Sequence, residues 1–341
     1  MATIPLIYIR ETGVMANSIL SAKVLQNEAA AIAWVEARVW PNGPVCPHCG
    51  GFDRIGKMAG KATRIGLYKC YQCRKQFTVK VGTVFEDSHV PMNLWLQAMY
   101  LLCSSKKGIS SNQLSRTLGV TLKTAWFMSH RIREAMRVVG VTPMGGDSGI
   151  VESDETFIGT VDGEGGKQAA RSRFRRAKKG RPGRSHKNAV LTLVERGGSA
   201  RSFHIDGAAI SDIAPILRDN ISREATVMTD EAKHYYGVGD EFAGHGTVTH
   251  SEDEYVRHEA WIDKADRLHV EPIHTNTVEG YYSIFKRGMK GVYQHCKEKH
   301  LHRYLAEFDF RYSNRVRLGV DDVERTSRAV AGIVGKRLTY R

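Results

Sequence analysis

The sequence predicts an α/β protein: a mixed sheet flanked by helices, preceded by a small cysteine-bounded module and an all-helical region. Three observations carry this. From Gly149 onward, short β-branched runs alternate with amphipathic helical segments. Two C-x-x-C pairs, Cys46/Cys49 and Cys70/Cys73, bracket a stretch too small to build a core of its own. Residues 91–140 keep a helical period throughout. The expected organisation is a helical segment at 1–45, a zinc ribbon at 46–82, a helical region at 90–140, an α/β domain at 149–315 and a basic tail at 316–341.

Bulk properties narrow the function classes. The chain has 341 residues, 42% hydrophobic and 25% charged, values ordinary for a soluble protein of two or three domains. A net charge of +14 is not ordinary and predicts a polyanionic partner, because clustered Lys and Arg release counterions from phosphates. The longest apolar window, Met92–Cys103, is too short to span a bilayer and contains Asn and Gln, so no membrane association is expected. No basic region followed by a long apolar run opens the chain, which predicts a cytoplasmic protein without a signal peptide; Met15 is a second candidate start. In that compartment, paired cysteines favour metal over disulfides.

The elements follow in order. Asn27–Val39 reads as a helix that stops at Trp40-Pro41-Asn42-Gly43. Cys46, Cys49, Cys70 and Cys73 can close a tetrahedral site with no open position, which predicts one structural zinc. His48, inside a knuckle, is expected at the surface, and Cys103 and Cys296 are expected as buried free thiols. Gly108–Met136 reads as a helix-turn-helix: Ser110 or Ser111 caps a helix through Leu118, Gly119-Val120 turns, and Thr121 opens a second helix. That helix carries Lys123, Ser129, His130, Arg131 and Arg133, side chains able to reach base edges and phosphates in double-stranded DNA. Lys167–Lys187 holds ten Lys/Arg and no acid, and reads as a mobile loop whose Lys178, Lys179 and Arg181 contact phosphates.

Within the α/β part, Gly149–Ile158, Ala189–Val194, Arg201–Ile205, Ala225–Thr229 and Thr247–Thr249 read as strands. Ser211–Ile221 reads as a helix, capped by Ser211 with Pro215 near its first turn. Ile273–Gly291 reads as a helix with two opposed faces. Asn276, Glu279, Ser283, Lys286 and Lys290 fall on one, and Val278, Tyr281, Tyr282, Phe285 and Met289 on the other. Acidic residues mark three of these elements: Asp154 and Glu155 on the first strand, Asp230 and Glu231 at the end of a later one, Glu279 on the helix. Carboxylates from two strands and a helix can converge at a sheet edge and hold two magnesium ions for phosphoryl transfer. Alternation alone does not choose between Asp154 and Glu155.

The order strand Asp, later strand Asp, helix Glu, with Lys seven residues on, resembles the DDE transposase and retroviral-integrase superfamily, built on an RNase H-like fold. Trp40–Gly50 (WPNGPVCPHCG), Ser153–Gly159 (SDETFIG), Thr229–Glu231 (TDE), Thr247–Ser251 (TVTHS), His274–Glu279 (HTNTVE), Lys286–Gly291 (KRGMKG) and His300–Tyr312 (HLHRYLAEFDFRY) are together similar to one branch. That branch is the ISXO-like insertion-sequence transposases of bacteria, which carry an N-terminal zinc ribbon. The resemblance covers roughly residues 25–315. It implies a DNA transposase that binds terminal inverted repeats and catalyses metal-dependent strand cleavage and transfer as a homo-oligomer on DNA. Asp154, Asp230 and Glu279 would hold two magnesium or manganese ions, with Lys286, Arg287 and Lys290 against DNA. Asn276 competes with Glu279 for the third position; an anionic ligand suits magnesium better than a neutral amide. The branch's usual Arg-Tyr-Asn reads Arg311-Tyr312-Ser313-Asn314 here. The alternative is a domesticated or decayed transposase acting as a DNA-binding regulator; the presence of all three carboxylates argues against decay.

Overall fold

The computed structural model describes residues 18–338 except 141, 160–186, 232–234, 250–251, 259 and 265. Lys178, Lys179 and Arg181 therefore lie outside the described residues. The chain divides into two units: Met1–Val79 with His89–Gln97, and Lys80–Ser88 with Ala98–Arg341.

In the first unit, α1 (Lys23–Gln26) and α2 (Glu28–Val39) precede a small sheet. Asn27 caps α2, its side chain accepting from Ala30 N at 2.9 Å, and Ala31, Ile32 and Val35 form the buried stripe. Strands β1 (Ile55–Lys57), β2 (Tyr68–Cys70) and β3 (Gln76–Phe77) pair antiparallel in that order. Trp40, just past α2, sets its ring edge-on to Tyr68 and Phe77, at 5.5 and 5.7 Å between centroids. This aromatic trio is a meagre core for a three-stranded sheet, so the cysteines have to supply the rest of the order.

The second unit contains the end of α3 (Met92–Ser104), then α4 (Ser111–Leu118) and α5 (Leu122–Met136). Ser110 and Thr121 cap α4 and α5, and Gly119 makes the turn with φ +66°. A five-stranded sheet follows: β4 (Ile150–Ile158), β5 (Asn188–Glu195), β6 (Ala200–Ile205), β7 (Thr226–Asp230) and β8 (Gly244–Val248), in the order β6-β5-β4-β7-β8. β4, β5 and β6 form an antiparallel meander, and β7 and β8 run parallel to β4. Between β6 and β7 lies α6 (Ile210–Asn220); α7 (Tyr236–Gly239) precedes β8, and a two-stranded ribbon, β9 (Trp261–Ile262) and β10 (Leu268–His269), follows it. Then come α8 (Asn276–Gly288), a π-helical turn at Met289–Tyr293, α9 (Leu301–Ser313) and α10 (Asp322–Ala331).

Both sheet faces are covered. Val151, Leu191 and Leu193 pack with α6 and with Tyr235 and Phe242 on one side. Val190, Val194 and Ile158 pack with Val278, Tyr282 and Phe285 of α8 and with Leu305 and Phe308 of α9 on the other. This is why β5 reads as a continuous apolar run instead of an alternation.

Three expectations need correction. Within the expected tail at 316–341, the described residues up to 338 are not a mere tail: Asp321 caps α10, and Arg325 is buried, donating to Cys103 O at 3.0 Å and Asn314 O at 2.7 Å. Ser211 lies inside α6, whose cap is Ala209, and Pro215 sits within the helix. Cys296 is only partly buried, whereas Cys103 is buried as expected.

Candidate active site

Strand period separates the acidic residues of β4. Glu155 points to the α7 side of the sheet, where its carboxylate accepts from the Tyr235 hydroxyl, which also lies 3.2 Å from Ser153 Oγ. Asp154 and Glu152 point the other way, toward α8. The parallel register of β4 and β7 pairs Ile150 with Thr226 and Glu152 with Met228. Continued two residues past the ladder, it carries Asp154, midway along β4, toward Asp230 at the end of β7.

Two contacts fix α8 over this strand end. The carboxylate of Glu152, 0% exposed, accepts from the backbone N–H groups of Thr277 (2.7 Å) and Val278 (3.0 Å) and from the Thr277 hydroxyl (2.7 Å). It thereby satisfies the orphan donors and positive dipole end of the helix. Arg196, donating to Glu152 at 2.7 Å and to the carbonyls of Pro272 and His274, balances the buried charge. His274 Nδ1 lies 3.1 Å from the same carboxylate; burial and Arg196 hold this imidazole below its ordinary pKa. The second contact is the Tyr282 hydroxyl, which donates to the backbone carbonyl of Asp154 at 2.6 Å. Glu279 stands between these two attachments, exposed, one turn before Tyr282.

The carboxylates sense one another. Burial, then the charges of Glu155, Asp230 and Glu279, push Asp154 up to about 7. Among the described residues, the four cysteines bring their ligand atoms within 4.8 Å of one another, and the three carboxylates do not form such a group. A hard, all-oxygen, mutually repelling donor set is what a divalent cation such as magnesium relieves. Asn276, in the first turn of α8, is exposed, and its backbone N–H donates to His274 Nδ1 at 3.3 Å. Lys286, Arg287 and Lys290 are exposed, with the Lys286 ammonium 5.5 Å from the Tyr282 ring centre and Arg287 donating to Ser283 Oγ at 2.6 Å.

The recognition-helix reading of α5 fails for the second half of the helix. Lys123 is exposed at its start. Ser129, His130, Arg131 and Arg133 are buried. Arg131 donates to the carbonyls of Val84 and Glu86 at 2.9 and 2.6 Å, and Arg133, 1% exposed, pairs with Glu307 of α9 at 2.6 Å. Burial opposes the Arg133 charge and Glu307 more than restores it. Neither arginine can reach DNA. Arg311, from the Arg-Tyr-Ser-Asn stretch, closes the same buried network on Glu307.

In the first unit, the cysteine sulfurs lie 3.7 Å apart in the pairs Cys46–Cys73 and Cys49–Cys70. Backbone N–H groups of Cys73 and Gln72 lower the Cys70 thiol to about 7. At Cys49 the corresponding bond from Gly51 is outweighed by desolvation and by hydrogen bonds with the other three thiols, which raise it to about 12. Sulfurs that share protons this way fit a tetrahedral cation. His48 is exposed, as expected.

Sequence reasoning passed over Glu152, Arg196, His274 and the Tyr282 hydroxyl. One signal was present: a glutamate inside a β-branched strand, two residues from Asp154, must share its face and needs a buried partner.

Comparison with known families matches residues 147–313 to an ISXO2-like transposase domain and residues 26–76 to a transposase zinc-ribbon domain. The cysteine cluster and the ribbon match together support a structural zinc. The chain is also 27% identical over 275 residues to an uncharacterized protein in transposable element ISH50 of Halobacterium salinarum, covering 80% of this chain and 86% of the relative.

Proposed function

The chain belongs to the ISXO2-like insertion-sequence transposases, and from that premise we propose that Asp154, Asp230 and Glu279 are its catalytic residues in DNA strand cleavage and strand transfer. The observation that supports this is the parallel register of β4 and β7, which leads Asp154 toward Asp230, beneath a helix pinned on both sides of Glu279, with the charges of Asp230 and Glu279 acting on Asp154. Two magnesium or manganese ions held by these carboxylates would act as Lewis acids on the attacking and leaving oxygens of an in-line displacement. Asp154 and Asp230, on a rigid sheet, fix the position of the scissile phosphate, and Glu279 completes the anionic set from above. Asn276, one turn earlier, is not a ligand in this reading. Lys286, Arg287 and Lys290 hold the flanking phosphates.

End recognition falls to the zinc ribbon and to the exposed start of α5 with Lys123, while Lys178, Lys179 and Arg181 of the basic stretch add sequence-independent phosphate contacts. The terminal inverted repeats of the element are the bound duplex, and cutting two ends requires more than one copy of the chain.

The test uses the full chain with a labelled duplex of the element end and magnesium. Asp154→Ala, Asp230→Ala and Glu279→Ala each abolish cleavage and joining while end binding persists; Asn276→Ala remains active. Three alanine variants that still cut and join like the parent overturn the assignment, and an inactive Asn276→Ala beside an active Glu279→Ala transfers the third role to Asn276.

A further inference from the structure

Away from the carboxylates, the second unit holds a cavity of about 310 Å³ between α5 and the segment leading into α9. Two pairs of aromatic side chains, each one helical turn apart, line it: Trp126 and His130 on α5, His300 and Tyr304 at the start of α9. Their rings are mutually close. Trp126 lies 4.3 Å from His130 between centroids and 5.7 Å from His300, and His130 lies 5.0 Å from His300 and 5.6 Å from Tyr304. Lys297 and Lys299, both exposed, complete the lining with His295. Glu298, between the two lysines in sequence, does not line the cavity.

The geometry points to a binding pocket for a single unpaired nucleotide of DNA, its base laid against the part-exposed Trp126 and His300 rings, which the buried His130 backs, and its phosphate on Lys297 and Lys299. This rests on DNA being the substrate, as proposed above, and adds that part of the DNA is held single-stranded. Three features support it. A plain core would have filled this volume with apolar side chains; here the space is kept open and its rim is cationic. Its size sits at the lower end of the ~300–1,000 Å³ range of small-ligand sites, enough for one nucleotide and far too small for a duplex. The local charge also suits a phosphate: burial, then Arg303, Lys299 and other nearby cations, lower His300 to about 4. The ring is therefore neutral at pH 7, and the cations that hold it so are the field a phosphate would meet.

A neighbouring stretch of the same segment reaches the end of β4. The segment that lines the pocket continues back to Met289, Lys290 and Gln294, which with Ile158 and Gly159 at the end of β4 line a second cavity of about 230 Å³. Base–aromatic stacking is sequence-tolerant, so the pocket would accept any base.

The experiment compares the full-length parent, Trp126→Phe, Trp126→Ala and the Lys297→Ala/Lys299→Ala double variant. The probes are a short fluorescein-labelled oligothymidylate and the same label on a blunt duplex of the element end. The double variant and Trp126→Ala should bind the oligothymidylate about tenfold more weakly, with duplex binding changed far less. Unlabelled oligothymidylate should quench indole emission in the parent and much less in Trp126→Phe, a readout that survives should Trp126→Ala not fold. Unchanged single-strand affinity in the lysine variant, equal quenching in Trp126→Phe, or equally effective competition by polyglutamate overturns the proposal. Asp154→Ala should retain oligothymidylate binding, so loss of this pocket and loss of the carboxylate assignment are read separately.

Discussion

Helices α5 and α8 carry the same kinds of residue and meet opposite fates. Each presents several cations along one to four turns, and from sequence each is a candidate DNA-facing element. On α8 the cations lie opposite an apolar stripe, and Lys286, Arg287 and Lys290 emerge exposed. On α5 the whole turn-by-turn run from Met128 to Met136 is buried, polar Ser129, His130 and Glu134 together with apolar Met128, Ile132, Ala135 and Met136. A helix end enclosed on all sides takes its charges inside with it, and each then needs a partner. Arg133 then needs Glu307 and Arg131 needs the carbonyls of Val84 and Glu86. What encloses a cation after folding decides its role more than its identity does.

The contrast can be broken by experiment. The largest effect is expected at Arg133→Ala, which leaves Glu307 with half of its compensation in a dry site. Removing one partner of a buried pair costs about 3–5 kcal/mol, read as a lowered urea midpoint; a loss of DNA affinity with no loss of stability would return Arg133 to the surface role the sequence suggested. Next is Glu152→Gln. It keeps the shape but removes the charge that holds the N-terminus of α8 and pairs with Arg196, so strand cleavage should fall by about tenfold or more, with end binding retained. Glu152→Asp, which restores the charge on a shorter arm, should recover part of the rate; equal loss in both variants would indicate a packing role alone. The smallest effect is at Lys286→Ala: an unchanged unfolding midpoint, and a salt dependence of DNA binding whose logarithmic slope is shallower by about 1. An unaltered slope would remove Lys286 from the phosphate contacts.

Much of the architecture could be read from local chemistry. The caps at Asn27, Ser110 and Thr121, the turn at Gly119 and the five strands are announced by nearby residues. So are the four cysteines and the two faces of α8. What escaped depends on partners distant in the chain. Arg133 and Glu307 are 174 residues apart, and Glu152 meets Thr277 across 125. Nothing in a helical period reveals which acid will face an arginine after folding. The choice of Asp154 over Glu155 came from the family resemblance and not from the residue pattern, because alternation separates their faces but does not say which face α8 covers. The sheet pairs Glu155 with Tyr235 and leaves the Asp154 carbonyl bonded to Tyr282 of the helix. Beyond Arg315, Thr326, Ala329 and Val330 make a stripe too short to stand out, yet α10 buries it.

The two attachments of α8 make the helix behave as a beam clamped at both sides of its load. Glu152 grips one end and the carbonyl of Asp154 holds Tyr282 a few residues along, with Glu279 on the short span between. Both grips belong to a single strand. A shift of β4 therefore carries Glu279 along with Asp154, and the spacing of those two carboxylates is insulated from movement elsewhere in the molecule. Asp230 rides on β7, which the parallel ladder joins directly to β4, so one strand is the common reference for all three carboxylates.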